Sequence, residues 1–595
     1  MADYAAPVRD MRFIIGDQIG YPAIAALNGG SDASADLVDA VLEEAAKMAG
    51  GVLAPLNRVG DVEGCRLEGD EVITPAGWRD AYAAFCENGW AALAMDPEYG
   101  GQGLPKLVAT AVSEMWDAAN MAFGLCPLLT NGAIEAIAQH GSSALRERYL
   151  EPLVSGRWTG TMNLTEPQAG SDLSGVRTRA EPHGDHFLIS GQKIYITYGE
   201  HDLAENIIHL VLARLPDAPA GTRGISLFVV PKFLVNEDGS LGARNDLRCI
   251  SLEHKLGIHA SPTAVMSYGD QGGAVGYLVG EENRGLMHMF TMMNAARHAV
   301  GREGVAISEA SYQHAVQHAM QRVQGRPPGA AAEGATIIEH PDVKRMLMTM
   351  KCQIEAMRAL TYVCAFAFDA AERHADEAER ARATRRGDLL TPIVKGWCTE
   401  TAQEITSLGV QVHGGMGFIE ETGAAQYLRD ARITPIYEGT TGIQAGDLIG
   451  RKMLRDGGVA MRELFDDMHV SLNALSGQGG AAAVVRDAFA TALEDLEQTT
   501  RWLLDTAADP LISAAAAVQY LELCGRVCGG WMMAEAARIC VGSKQLRQLD
   551  EEFYAHKLST AEFYARQMLP RTGALRASII DGAACVAGLS TALFS

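Results

Sequence analysis

The sequence is short of positive charge: 50 Lys and Arg stand against 73 Asp and Glu, a net charge of −23 at pH 7. A surface that follows nucleic-acid phosphates needs an excess of cations. Nucleic acid is therefore excluded as a general partner, while a local pocket for one phosphorylated small molecule is not. Long apolar runs are lacking too. A membrane span needs about 18 or more consecutive apolar residues, and no segment is expected to serve as one. The most apolar late stretch, Leu511 to Cys540, is broken by Glu522, Arg526, Glu535 and Arg538. Asp3, Asp10 and Asp17 stand where a secretory leader would have basic and then apolar residues, so the expected location is cytoplasmic. The 11 cysteines are scattered singly. Only Cys524 and Cys528 are close, at helical spacing and with no His cluster nearby, which favours buried, reduced thiols over zinc. There is no Gly-rich dinucleotide fingerprint after a strand, no phosphate loop ending in Gly-Lys-Ser/Thr and no HExxH.

What is present is enough to fold. Hydrophobic residues make up 48% and charged residues 21%, which excludes a disordered chain. At about 150 residues per domain, 595 residues suggest three to four domains. Residues 1–160 read as a helical domain: Ala35 to Met48 repeats apolar positions at three- and four-residue steps behind Ser34, a capping residue. Similar periodicity covers Leu107 to Ala119 and Gly132 to Leu153, and Pro97 to Pro105 (PEYGGQGLP) is turn chemistry. Residues 161–285 change texture. The short β-type runs Phe187 to Ile189, Lys193 to Thr197, Ile207 to Leu212 and Ile225 to Val230 are separated by Gly, Pro, Asp and Asn, as in a small β domain. Helical patterning returns over 286–454, interrupted by a flexible loop at Gly325 to Gly334, and continues in an extension over 455–595. The expected fold class is mainly α with a small β domain: an N-terminal helical domain, a middle β-barrel, a C-terminal helical bundle and an extra helical C-terminal domain.

Four polar stretches exceed what a core requires. Asn163 to Gly175 (NLTEPQAGSDLSG) gathers backbone N–H donors, made accessible by Gly170, with the hydroxyls of Thr165 and Ser171. Such a loop can hold a heteroaromatic ring or a phosphate, and the same letters make an ordinary turn-rich linker. In Lys193 to Thr197 (KIYIT), strand alternation puts Ile194 and Ile196 on one face and Tyr195 and Thr197 on the other, able to cover a flat cofactor or simply a sheet face. Leu408 to Phe418 (LGVQVHGGMGF) offers bare amides at a bend for a phosphate, or a helix connection with a Gly cap, and His413 reads as hydrogen-bonded structure. Thr434 to Gln444 (TPIYEGTTGIQ) sets Glu438 beside a glycine at a turn, either a general base or a solvated carboxylate at a helix start.

Read together and in order, these segments resemble the acyl-CoA dehydrogenase family of flavoenzymes. The resemblance runs from about residue 60 to residue 450 through PEYGGQGLP, TEPQAGSD, GQKIYIT, GISLFVVP, KLGIHASPT, GEENRGLMHMF, QVHGGMGF and LRDARITPIYEGTTGIQ. It implies FAD as cofactor, an acyl-CoA substrate oxidised to the trans-2-enoyl-CoA, and Glu438 as the base that removes the α-proton. It implies that Met162, Leu164, Thr165, Ser171, Tyr195 and Thr197 line the flavin, Ser171 also opening the CoA path. By the same resemblance Arg322, Gln411, Gly414 and Gly415 bind the adenine-diphosphate half of FAD from a second subunit, and Thr440 also contacts FAD. Asn294, Arg297 and Gly439 fall at substrate-binding positions. No metal site is implied.

In such a reaction hydrogen bonds to the thioester oxygen stabilise the developing enolate, and base and flavin flank the Cα–Cβ bond. The expected substrate is a methylthioalkanoyl-CoA or another short or medium acyl-CoA, and electron-transfer flavoprotein is the expected acceptor. Long members of the family carry a helical extension in place of a dimer–dimer contact, so a homodimer is expected. Two departures stand out: Tyr195 replaces a Trp common among relatives, and the aromatic usual after the FAD-contacting arginine is missing around QRVQGR. Met121, Phe123, Cys126 and Leu128 suit either a substrate pocket or a plain core. The alternatives are an acyl-CoA oxidase using O₂ and a catalytically silent acyl-CoA-binding relative; the intact Glu438 and TEPQAGSD loop weigh against the latter.

Overall fold

The computed structural model describes residues 4–28, 33–329, 334–542, 548 and 550–595; Asp3 and residues 330–333 of the Gly325–Gly334 interruption lie outside them. The chain divides into two compact units, Met1–Glu44 with Pro105–Glu114 and Val300–Ser595, and Ala45–Leu104 with Met115–Ala299.

The second unit holds the β structure. A short hairpin joins β1 (Arg66–Glu68) to β2 (Glu71–Ile73). The main sheet contains β3 (Trp158–Asn163), β4 (Arg179–His183), β5 (His186–Thr197), β6 (Asn206–Ala213), β7 (Ser226–Pro231), β10 (Leu247–Leu252), β11 (Thr263–Tyr268) and β12 (Ala274–Val279); β8 (Phe233–Val235) and β9 (Leu241–Arg244) form a separate pair. Its order is β10-β11-β5-β12-β7-β6-β3, with β4 also on β5, and every pair is antiparallel except β3 with β6. Among the described residues β10 and β3 do not pair across the ends, so the expected barrel is an open half-barrel. Strands β3, β6 and β7 are buried along their whole length. Each fully buried Val, Leu, Ile or Phe there contributes about 1.5–3 kcal/mol. Three polar side chains of β3 are paired: Thr159 Oγ1 lies 2.9 Å from His201 Nε2, Thr161 Oγ1 2.7 Å from His209 Nδ1, and Tyr268 donates its hydroxyl to Asn163 Oδ1 at 2.8 Å.

Several expectations need correction. The runs Phe187–Ile189 and Lys193–Thr197 are one strand, β5. The periodicity over Gly132 to Leu153 belongs to two helices, Lys106–His140 and Ser143–Val154, because Ser142 caps the second by accepting from the Leu145 N–H at 3.3 Å. Helix Lys106–His140 is itself kinked at Asn120 (φ −160°, ψ 88°), whose Oδ1 accepts from the Phe123 N–H at 3.1 Å. Among the described residues two helices, Lys106–His140 and Pro510–Gly542, are long and apolar enough to cross a membrane by length and composition alone. Their most apolar windows are 83% and 61% buried within the protein, so packing consumes those faces. Met121, Phe123, Cys126 and Leu128 are buried, with Phe123 packed on Tyr82 and Phe85.

The first unit is helical. Helices Pro341–Arg373 and Glu377–His413 pack against the later part of Gly285–Gln321, helped by glycines: a Cβ at Gly301 would lie 2.5 Å from Val394 Cγ1, and one at Gly304 2.8 Å from the Cys398 carbonyl oxygen. The extension adds Val459–Ala474, Gly480–Asp505, Pro510–Gly542, Glu551–Gln567 and Arg571–Ala587.

Candidate functional site

In the second unit, the loop after β3 and the bulge in β5 bring most of the expected flavin residues together. Lys193 pairs with Met266 and Ile196 with Ala264, so Ile194 and Tyr195 together face the single Val265 of β11. This is a β-bulge, and Tyr195 takes a left-handed backbone (φ +61°). Strict alternation therefore fails. Lys193, two residues before Tyr195, is buried, while Tyr195 is 60% exposed. Such a conformation costs a non-glycine residue of order 1–3 kcal/mol and persists only where its surroundings hold it. Here the Ile194 N–H donates to Thr165 O at 2.9 Å, and the Lys193 ammonium donates to Leu164 O at 3.0 Å.

Met162, near the end of β3, is buried, and in the loop that follows, Thr165 is half-buried and Ser171 exposed. Not all its amides are available as expected, because Glu166 and Ala169 exchange backbone hydrogen bonds at 3.0 and 2.9 Å. At Gly170 an added Cβ would meet nothing within 4 Å, so bare backbone faces open space. Thr197 is half-buried at the end of β5. On the helix Gly285–Gln321, Arg297 Nη1 donates to Asn294 Oδ1 at 3.4 Å; Arg297 is buried and Asn294 half-buried.

In the first unit, Glu438 sits on a tight turn in which it and Gly439 both have left-handed backbones (φ +53° and +89°). The turn is fixed from three sides. The buried Lys395 donates to Gly439 O at 2.7 Å, Gln444 Nε2 donates to Glu438 O at 3.1 Å, and the Thr441 hydroxyl donates to Glu400 Oε1 at 2.5 Å. Tyr437 donates its hydroxyl to Glu303. Thr440 caps the helix Thr441–Asp447 by accepting from the Ile443 N–H at 3.4 Å. The half-buried Glu438 side chain is thus presented by a backbone that cannot easily move.

Gln411, Gly414 and Gly415 lie at the end of helix Glu377–His413, all exposed, with open space where a Cβ at either glycine would sit. His413 is structural: its Nδ1 is 2.7 Å from Gly409 O and its ring lies 4.4 Å from that of His318. Burial lowers its pKa, against the opposing hydrogen bond to Gly409 O. Arg322, one turn beyond His318, is exposed and donates to Gln324 Oε1 at 3.2 Å.

The domain models of one family cover nearly all of the chain. "Acyl-CoA dehydrogenase, N-terminal domain" matches residues 40–157, the middle domain 161–270, the C-terminal domain 283–454, and "Acetyl-CoA dehydrogenase C-terminal like" 463–590. The chain belongs to the acyl-CoA dehydrogenase family. As an acyl-CoA dehydrogenase it is an oxidoreductase. It is 50% identical to 3-methylmercaptopropionyl-CoA dehydrogenase of Ruegeria pomeroyi, over 97% of this chain and 98% of that one. It is 35% identical to a butyryl-CoA dehydrogenase of Syntrophomonas wolfei, over 96% and 95%. The fold matches that of Caenorhabditis elegans ACDH-11, solved in complex with C11-CoA, at a TM-score of 0.75 and 21% identity, covering 98% of this chain and 97% of that one.

Sequence reasoning missed the residues that hold these acyl-CoA dehydrogenase segments in place: Glu166 and Lys193 behind the loop, and Lys395, Glu400 and Glu303 behind the turn. Lys193 and Glu166 lay inside the quoted motifs. Alternation put Lys193 on the same face as Tyr195, which hid its burial. Lys395 lies 44 residues from the carbonyl it holds, and no local pattern marks it.

Proposed function

We propose that this acyl-CoA dehydrogenase carries out FAD-dependent α,β-dehydrogenation of a short acyl-CoA thioester, with 3-methylmercaptopropionyl-CoA as its preferred substrate, Glu438 as the base and electron-transfer flavoprotein as the acceptor. A homodimer is the working assembly. The observation that carries the reading is the Glu438 turn, where a carboxylate stands on a strained backbone pinned by Lys395 and Gln444. The 50% identity to the Ruegeria enzyme over nearly the whole of both chains supports the choice of substrate.

The residues present fit the cofactor. Tyr195 offers an exposed flat ring beside Thr197, and the end of β3 at Met162 with the loop through Leu164 and Thr165 to Ser171 supplies polar backbone and hydroxyls with open space at Gly170. Open backbone at Gly414 and Gly415, next to Gln411, suits a diphosphate, with Arg322 and Thr440 as further contacts. Bound FAD supplies the two-electron oxidant that the removal of a β-hydride requires. Glu438 accepts the α-proton on a carboxylate oxygen. Its fixed backbone holds that oxygen ready, so little reorganisation is needed as the C–H bond breaks. Asn294, Arg297 and Gly439 orient the thioester and its CoA.

The test is anaerobic mixing of the FAD-loaded protein with 3-methylmercaptopropionyl-CoA and with butyryl-CoA, following the visible band of oxidised flavin. Wild type is expected to bleach, fastest with the methylthio substrate, and Glu438→Gln to lose about 10²–10⁴-fold in rate while still binding FAD. A Glu438→Gln variant that bleaches at the wild-type rate removes Glu438 from the mechanism. A protein that takes up no FAD removes the reading.

A further inference from the structure

We infer that the buried Glu166–Lys193 ion pair is a positioning device that holds Leu164 and Thr165 in register with the left-handed Tyr195 for the flavin, an inference that rests on the FAD reading above. Both side chains are almost wholly inaccessible. The Lys193 ammonium donates to Glu166 Oε1 at 2.8 Å and to Leu164 O at 3.0 Å. Glu166 is itself anchored, accepting from the Thr178 hydroxyl at 2.6 Å, the Thr178 N–H at 3.0 Å and the Arg177 N–H at 2.7 Å. On the strand side, the Ile194 N–H donates to Thr165 O at 2.9 Å. Two consecutive residues of the loop are therefore stitched to two consecutive residues of β5, directly ahead of Tyr195.

Stability alone does not account for this arrangement. A buried ion pair is often no better than an apolar pair of the same shape, because desolvation offsets the attraction. An apolar side chain at 193, however, cannot bond to the Leu164 carbonyl. The directional bond is what the charged pair adds. It meets the requirement that a strained residue such as Tyr195 be held by its surroundings. Lys193 and Glu166 are placed behind the loop and strand rather than on a reacting atom, so both act through Leu164, Thr165 and Tyr195.

The test uses the full-length, FAD-loaded protein. Lys193→Met leaves a buried carboxylate without its cation and is expected to melt lower. The double variant Glu166→Gln with Lys193→Met removes both charges and the donor to Leu164 O; the new amide keeps one acceptor oxygen, for the Thr178 hydroxyl and N–H, and turns an NH2 toward the Arg177 N–H, a change that Glu166→Gln alone shares and so controls for. The double variant is expected to melt within a few degrees of wild type. Its bound flavin should show an altered visible band shape, and its kcat on butyryl-CoA should fall about tenfold with KM within about twofold. A double variant with the wild-type band shape and kcat overturns the inference. So does one that does not fold, because the pair is then a structural requirement of the sheet. Absence of FAD uptake by wild type is a different result: it strikes the FAD reading itself, before any variant is made.

Discussion

Glu166 carries a pH dependence that can be isolated. Burial alone would raise its pKa, but Lys193, the Thr178 hydroxyl and the Arg177 amide outweigh it and hold the carboxyl down to about 2, from 4.5. A carboxylate depressed on folding contributes stability that is complete above its unfolded pKa and is lost as pH falls through its folded one. The window here runs from about 4.5 down to about 2, and the contribution is of order 3 kcal/mol. Urea unfolding of wild type from pH 6 to pH 3 is therefore expected to weaken more steeply than that of Glu166→Gln; equal slopes would assign the acid sensitivity elsewhere. At this scale the sequence was partly legible. Glu438, Gly439 and Tyr195 stood out because a carboxylate or an aromatic beside glycine-rich segments is unusual. Lys193 did not, because a period of two assumes an unbroken strand and one extra residue in the bulge reverses which side chains are buried.

Glycine decides how close the longer elements come. In Pro510–Gly542, a Cβ at Gly525 would lie 2.1 Å from Trp397 Cγ, and one at Gly529 2.4 Å from the Tyr564 hydroxyl oxygen. Trp397 is buried in helix Glu377–His413, so this helix of the extension seats an indole where most residues would present a side chain. Gly525→Ala is expected to cost about 1–3 kcal/mol through overpacking, read as a lower urea midpoint at unchanged slope. A neutral result would mean that the indole can turn aside. Helix existence was legible where periodicity and a cap agreed: Ala35–Met48 begins behind Ser34, whose Oγ accepts from the Leu37 N–H at 3.3 Å. Boundaries inside long apolar stretches were not, since Gly141–Ser142 breaks the chain direction without breaking the apolar count. The half-barrel was likewise beyond reach, because closure depends on which strands pair across the ends and not on what each strand is made of.

The first unit is tied together by charge as well as by packing. Buried Arg358 donates to Glu114 Oε1, Asp10 Oδ2 and Glu309 Oε2, each at 2.7 Å, and Lys557 donates to Asp10 and, at 3.0 Å, to Glu355 Oε2. Burial would raise the Asp10 pKa, but Lys557 and Arg358 reverse this and keep it below the ordinary carboxylate range. Lys557→Met removes one cation from two buried carboxylates that retain Arg358 and Lys351, so the lower end of the cost of breaking a buried pair is expected, about 3 kcal/mol in urea unfolding. A loss under 0.5 kcal/mol would show that the remaining cations suffice. The order helical, β, helical, helical was readable from texture and family resemblance, yet no sequence signal joined residues 10, 358 and 557. That network has a consequence for synthesis. A ribosome releases Asp10 early, but the lysine that completes its surroundings is 547 residues away along the chain. Until that lysine emerges, the segment around Asp10 lacks one of its native cations, so its native seating waits for at least 547 further residues to be made.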